Sequence, residues 1–225
     1  MLLDIEKSQV NSRAFCWNCR QPEAACYCAS VRAFDPEIEF VILIHKIEAR
    51  RRIATGRMSH LLLKGSHLIE GSDFNHHPLV NDLIARPDAR AVVLYPGPTA
   101  LNLSRTSVED LRRLTLTQPG EEKSRLIVFV IDGTWATARR TMRLSENLAR
   151  LPRVCFDPVR KSAFQVRKQP ADHCVSTLEA IHHTIELLGE SQGFKTARRE
   201  HDHMLEIFSM MVERQKTFVP VRPTP

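Results

Sequence analysis

The sequence predicts an α/β fold on a largely parallel sheet, preceded by a small cysteine-rich module. Three observations carry that prediction. Apolar, β-branched runs alternate with helix-period segments along most of the chain, the pattern of strands joined by helical crossovers. The run Leu126-Ile127-Val128-Phe129-Val130-Ile131 is apolar without alternation, so it reads as a strand buried on both faces. Four cysteines, Cys16, Cys19, Cys26 and Cys28, precede the first strand.

In chain order, Glu39 to His45 reads as the first strand of the main domain. Glu48 to Leu63, which carries Arg50, Arg51, Arg52 and Arg57, is mainly helical with an interruption near Thr55-Gly56. Ser66 to Glu70 reads as a short strand. Arg90 to Tyr95 is a clearer one, stopped by Pro96-Gly97-Pro98 because proline offers no ladder donor. Ser107-Val108-Glu109-Asp110 opens a helix with a serine cap and an acidic first turn. The Leu126–Ile131 strand then meets Asp132-Gly133-Thr134-Trp135 abruptly, and Ala136 to Met142 has helical spacing. The chain therefore turns tightly from strand to helix, with Asp132 at the strand's carboxyl end, where open α/β sheets bind ligands. Arg153 to Phe156 is strand-like. Ser176-Thr177-Leu178-Glu179 is a capping box opening a helix to about Leu188. A last amphipathic helix is expected from about Lys195 to Arg214, its stripe of Met204, Leu205, Phe208, Met211 and Val212 packing on the core.

With 225 residues, 43% of them hydrophobic, the chain suits one domain of ordinary size and a small appendage. The division expected is a tail and cysteine module over 1–34 and a main domain over 35–225. The formal charge of +6 suggests a polyanionic partner. No stretch of 18 apolar residues exists, and the charged first residues lack a signal-peptide core, so a cytoplasmic location is expected.

Cys16-x2-Cys19 makes a knuckle, and Cys26-x-Cys28 can supply a second thiolate pair for a tetrahedral zinc. Disulfides would need an oxidising compartment that nothing in the sequence supports. Cys155 and Cys174 stand alone and read as small hydrophobes. The histidines, His182-His183 and His201-x-His203 among them, form no metal spacing and read as surface or satisfied residues. Of the eight glycines no two are one residue apart, which excludes the Gly-x-Gly dinucleotide fingerprint; there is no P-loop either.

Six elements occur in order: the four-cysteine pattern, Thr55-Gly56-Arg57, Leu94-Tyr95-Pro96, Asp132-Gly133-Thr134-Trp135, Arg167-Lys168-Gln169-Pro170 and Ser176-Thr177-Leu178-Glu179-Ala180. In them the chain, over about residues 14 to 190, resembles the DTW-domain family, the tRNA-uridine aminocarboxypropyltransferases. The resemblance implies transfer of the 3-amino-3-carboxypropyl group of S-adenosylmethionine to N3 of a tRNA uridine, with release of methylthioadenosine. It also implies a SPOUT-like domain with a C-terminal trefoil knot that grips the cofactor in loops, a rare exception to unknotted connections.

In that reading Asp132 is the candidate general base for the uridine N3 proton, or else orients the cofactor. Trp135 faces the sulfonium, stacks on adenine, or anchors its helix in the core. Tyr95, Pro96, Gly97, Asp132, Gly133, Thr134, Arg167, Gln169, Ser176 and Thr177 are the expected cofactor cradle, with Thr134 also a helix cap. Arg50, Arg51, Arg52, Arg57, Arg139, Arg140, Arg143 and Lys168 are candidates for RNA phosphate, against the plainer reading of a solvated surface. A SPOUT-type RNA methyltransferase and a non-catalytic RNA-binding zinc module remain open, as do monomer and homodimer.

Overall fold

The computed structural model describes residues 14–51, 53–113, 124–157 and 175–218. Six parallel strands form one sheet in the order β2-β1-β5-β3-β6-β4. They are β1 (Glu39–His45), β2 (His67–Gly71), β3 (Ala89–Leu94), β4 (Leu101–Asn102), β5 (Arg125–Asp132) and β6 (Arg153–Cys155). The helices are α1 (Lys46–Ala49), α2 (Thr55–Leu62), α3 (Pro78–Ile84), α4 (Val108–Arg113), α5 (Trp135–Leu144), α6 (Glu146–Ala149), α7 (Thr177–Gln192) and α8 (His203–Phe218).

The central strands are buried on both faces, as their unbroken apolar runs require. Phe40, Ile42, Val128 and Val130 point into a core shared with α2, α7 and α8. Their neighbours Val41, Leu43, Ile127 and Phe129 point the other way, onto α3, α5 and α6. This is the period-two alternation of a strand filling two layers at once. Cys19 and Tyr27 belong to the first of these cores, so the cysteine module is continuous with the main domain's interior.

Several expectations meet their elements closely. β1 has the bounds read from sequence, and Ser107 caps α4, its hydroxyl accepting from the Asp110 amide at 3.2 Å. Ser176 and Glu179 close the capping box, and α7 continues four residues past Leu188 to the left-handed Gly193 (φ 102°). The last helix is shorter at its start than expected. Residues 196–202 form two 3-10 turns with Arg199 left-handed between them (φ 56°), a break no propensity announces. The stripe on α8 is buried as expected at Met204, Phe208, Met211 and Val212. Helix α3 and the two-residue β4 were not foreseen.

Candidate functional site

Neighbouring parallel strands end together when their register is matched. Leu94 of β3 pairs with Val130 of β5, and Ile44 of β1 with Asp132, so Tyr95, Asp132 and His45 all reach the same carboxyl edge. A cavity of about 230 Å³ opens there. It is lined by Tyr95 and Pro96 after β3, Gly133 and Trp135 after β5, and Val175 and Thr177 before α7. Apolar walls come from Leu94, Val130, Ile131 and Phe156, among others. Three segments far apart in sequence therefore converge at one edge of the sheet.

Asp132 sits immediately behind this cavity rather than on its wall, and it is nearly fully buried. Its Oδ1 accepts from the Thr177 hydroxyl at 2.6 Å, and its Oδ2 accepts from the Gly56 amide at 3.3 Å. Gly56 and Thr177 lie in the first turns of α2 and α7, so two helix N-termini face one carboxylate, the sign of charge their dipoles favour. Gly56 is required by proximity: a Cβ there would lie 2.5 Å from Asp132 Oδ2. Gly133 is confined likewise, since its Cβ would meet the Thr137 hydroxyl at 2.5 Å.

Trp135 is 41% exposed, so it is not a core anchor. Its ring meets Tyr95 edge-on with centroids 6.3 Å apart, and the Arg153 guanidinium lies 5.7 Å from the Tyr95 centroid. Thr134 caps α5 by accepting from the Thr137 amide. Thr134, Ser176 and Gly97 do not line the cavity. Ser176 is taken up by its capping box, and Gly97 lies against Arg153. Arg167, Lys168, Gln169, Arg52 and Cys174 fall outside the described residues. The lining contributed by Phe156, Cys155, Val175 and Ala180 was not read from sequence, because apolar wall residues look like any core.

The four N-terminal cysteine sulfurs lie within 4.8 Å of one another, with Cys16–Cys28 at 3.6 Å and Cys19–Cys26 at 3.7 Å. Thiolates around tetrahedral zinc stand roughly 3.8 Å apart, from the ~2.3 Å bond. Backbone amide donation from Cys19 pulls the Cys16 thiol down to about 7, while burial pushes Cys19 and Cys28 up. Several thiolates in so small a space repel unless a cation joins them, and the donor set fits zinc.

Arg139, Arg140 and Arg143 are exposed on α5 and form no ion pair among the described residues. Arg50 and Arg51 are exposed beside α1, and Arg51 pairs with Glu48 at 3.4 Å. Arg57 differs: it is 5% exposed and donates to the Ala49 carbonyl at 2.5 Å, so a phosphate cannot reach it without moving the α1–α2 turn. His182 and His201 are buried, and each is paired through Nε2, while His201 Nδ1 has no hydrogen-bond partner among the described residues. His182 Nε2 meets Asp202 at 2.9 Å and His201 Nε2 meets Glu186 at 2.8 Å, with Arg199 paired to both carboxylates.

A model of the DTW domain matches residues 13–216. The chain is 30% identical over 184 residues to tRNA-uridine aminocarboxypropyltransferase 2 of Drosophila melanogaster, covering 79% of this chain and 68% of that protein. It is 27% identical over 172 residues to the Mus musculus protein of the same name, covering 74% of this chain and 54% of that one. No solved structure matches.

Proposed function

The chain belongs to the DTW-domain family, and from that membership and its site we propose that it is a tRNA-uridine aminocarboxypropyltransferase. It transfers the 3-amino-3-carboxypropyl group of S-adenosylmethionine to N3 of a tRNA uridine, releasing methylthioadenosine. The observation that carries the reading is the edge cavity, where the Tyr95, Asp132 and Thr177 segments meet.

S-adenosylmethionine supplies a sulfonium whose aminocarboxypropyl methylene, rather than methyl, carbon accepts the nucleophile. The orientation of the arm thus selects the product. The apolar, aromatic walls suit adenine and the sulfonium; a cation over an indole face gains about 0.5–2 kcal/mol. Asp132, aimed by Thr177 and Gly56, either takes the N3 proton or fixes the arm's ammonium, and the two roles differ kinetically. The exposed Arg50, Arg51, Arg139, Arg140 and Arg143 are assigned to phosphates. Cys16, Cys19, Cys26 and Cys28 would hold a structural zinc within the 1–34 module, whose interior is continuous with that of the 35–225 catalytic domain.

A SPOUT-like, knotted arrangement is part of this reading. It rests on the family resemblance, and the parallel six-stranded sheet is compatible with it. Among the described residues no helix is long and apolar enough to cross a membrane. Incubation with tRNA and S-adenosylmethionine, followed by nucleoside mass spectrometry, tests the activity. Methylthioadenosine and an aminocarboxypropyl-uridine are expected; S-adenosylhomocysteine with a methylated base would replace this reading with a methyltransferase.

A further inference from the structure

We infer that the cysteine module presents Trp17 as a stacking platform for an unpaired base of the RNA substrate, beside the Asp132 edge of the sheet. The inference rests on the tRNA reading above and goes beyond it by naming where the RNA is gripped.

Trp17 is 95% exposed, against 37–57% for the other exposed large apolar side chains among the described residues. An indole is among the side chains with most to gain from burial, which removes roughly 150–250 Å² from water, so leaving one in solvent calls for an occupant. The backbone that carries it is also fixed. Trp17 stands in the turn between Cys16 and Cys19, closed by the Arg20 amide donating to the Cys16 carbonyl at 2.8 Å. The Cys16 amide donates to the Gln21 carbonyl at 2.9 Å, and Cys19 is rooted in the core. A rigid aromatic loses little side-chain freedom on stacking.

A short chain of contacts leads from this turn to the site. The Arg20 guanidinium donates to the Ala49 carbonyl at 3.1 Å. Ala49 ends α1, which is one turn long, and α1 is capped by His45. His45 ends β1 beside Gly133, and its neighbour Ile44 pairs with Asp132. Along this path Arg20, Lys46, Ile47 and Arg50 are exposed, Ile47 at 57%. Neither Lys46 nor Arg50 is in an ion pair among the described residues. An exposed aromatic, an exposed aliphatic side chain and three cations along one short path have the make-up of single-strand nucleic-acid sites, where bases stack and phosphates meet the charges. A protein partner for the same apolar pair would need carboxylates against those cations, so RNA is the better fit.

The test uses the full-length protein and a tRNA that the wild type modifies. The chain has two tryptophans, so in a Trp135→Phe variant the fluorescence reports Trp17 alone. Saturable quenching by tRNA is expected. Trp17→Ala should weaken tRNA binding by about 5–150-fold, the worth of one stacked base, with zinc content and S-adenosylmethionine affinity kept. The slope of log affinity against log salt should stay the same, because no phosphate contact is lost, and Trp17→Phe should restore most of the affinity. Unquenched Trp17, or Trp17→Ala binding within twofold of a wild type that still binds and modifies tRNA, overturns the inference and returns the surface to a protein partner. A wild type that neither binds nor modifies tRNA overturns the parent reading and this one together.

Discussion

Replacing Gly56 by alanine tests whether the packing around Asp132 is as tight as the site requires. The added Cβ would lie 2.5 Å from Asp132 Oδ2, 2.8 Å from its Cγ and 2.9 Å from Ile42 Cγ2, where ordinary contact begins at 3.4 Å. Ile42 is fully buried in mid-strand and cannot yield, so Asp132 must swing away by about 0.9 Å, judged from its nearest oxygen. That strains its bonds from the Gly56 amide and the Thr177 hydroxyl. Overpacking costs about 1–3 kcal/mol and a weakened bond to a charged group about 1.5–3 kcal/mol, against roughly 1 kcal/mol regained from alanine's helix propensity. The net loss of about 1.5–5 kcal/mol lowers the melting temperature by roughly 3–20 °C at this chain length. With Asp132 in its proposed role, a shift of this size should lower single-turnover transfer at saturating tRNA by about 10²-fold. In an Asp132→Ala background the same substitution keeps only its clash with Ile42. A double-mutant cycle should therefore give a coupling of about 1–2 kcal/mol. A Gly56→Ala protein with wild-type melting and turnover, or strict additivity in the cycle, refutes the reasoning.

Asp132→Asn should reduce turnover by about 10²–10⁴-fold with little change in S-adenosylmethionine affinity if the carboxylate takes the N3 proton; a large affinity loss with intact single-turnover chemistry makes it a positioning residue. Cys16→Ser should abolish stoichiometric zinc binding and lower the melting temperature of the whole chain, because Cys19 and Tyr27 share the sheet's core; wild-type protein prepared without chelator and free of zinc refutes it. Each of Arg139→Ala, Arg140→Ala and Arg143→Ala should flatten the log-affinity versus log-salt slope for tRNA by about 0.7–0.9, and unchanged slopes reduce these arginines to a solvated face. Burial holds the His182 imidazole below its ordinary value, opposed by Asp202 and Glu186 and helped by His201, so the unfolded chain binds its proton more readily. Stability should therefore be full above about pH 6.5 and decline below it, with burial holding His60 and His183 down to the same effect; melting temperatures flat from neutral pH to pH 5 exclude that linkage.

What the sequence disclosed was local. The uniform apolar runs of β1 and β5, the Thr134 cap and the Ser176–Glu179 box are each written within a few residues, and each formed where expected. A strand-end carboxylate is often only a cap, and the Asp132 turn could be recognised because Gly133, Thr134 and Trp135 stand beside it and a second site-like segment lies downstream. Pairings across long separations were hidden. The two-residue β4 exists only by its register against Val154 and Cys155. Arg57 looked like part of a basic cluster, but on α2 its guanidinium turns inward to the Ala49 carbonyl. The His182–Asp202 and His201–Glu186 pairs join α7 to the turns before α8, with no motif spacing to reveal them.

Asp132 therefore has two kinds of work, and they are inseparable in this fold. By accepting from Gly56 and Thr177 it ties the starts of α2 and α7 to the end of β5. Those same bonds fix its direction behind the cavity. A carboxylate held by one flexible partner would wander by an ångström or more, enough to cost ~10²-fold in rate. One held from two helix N-termini is oriented before any substrate arrives. This explains why glycine stands at position 56, where any larger residue would displace the acceptor, and why Thr177 both lines the cavity and donates to Asp132. It follows that Thr177→Val, which keeps the shape but removes the donor, should impair catalysis more than stability, whereas Thr177→Ser should retain both. Equal melting and equal turnover for the valine and serine variants would mean that the threonine only fills space.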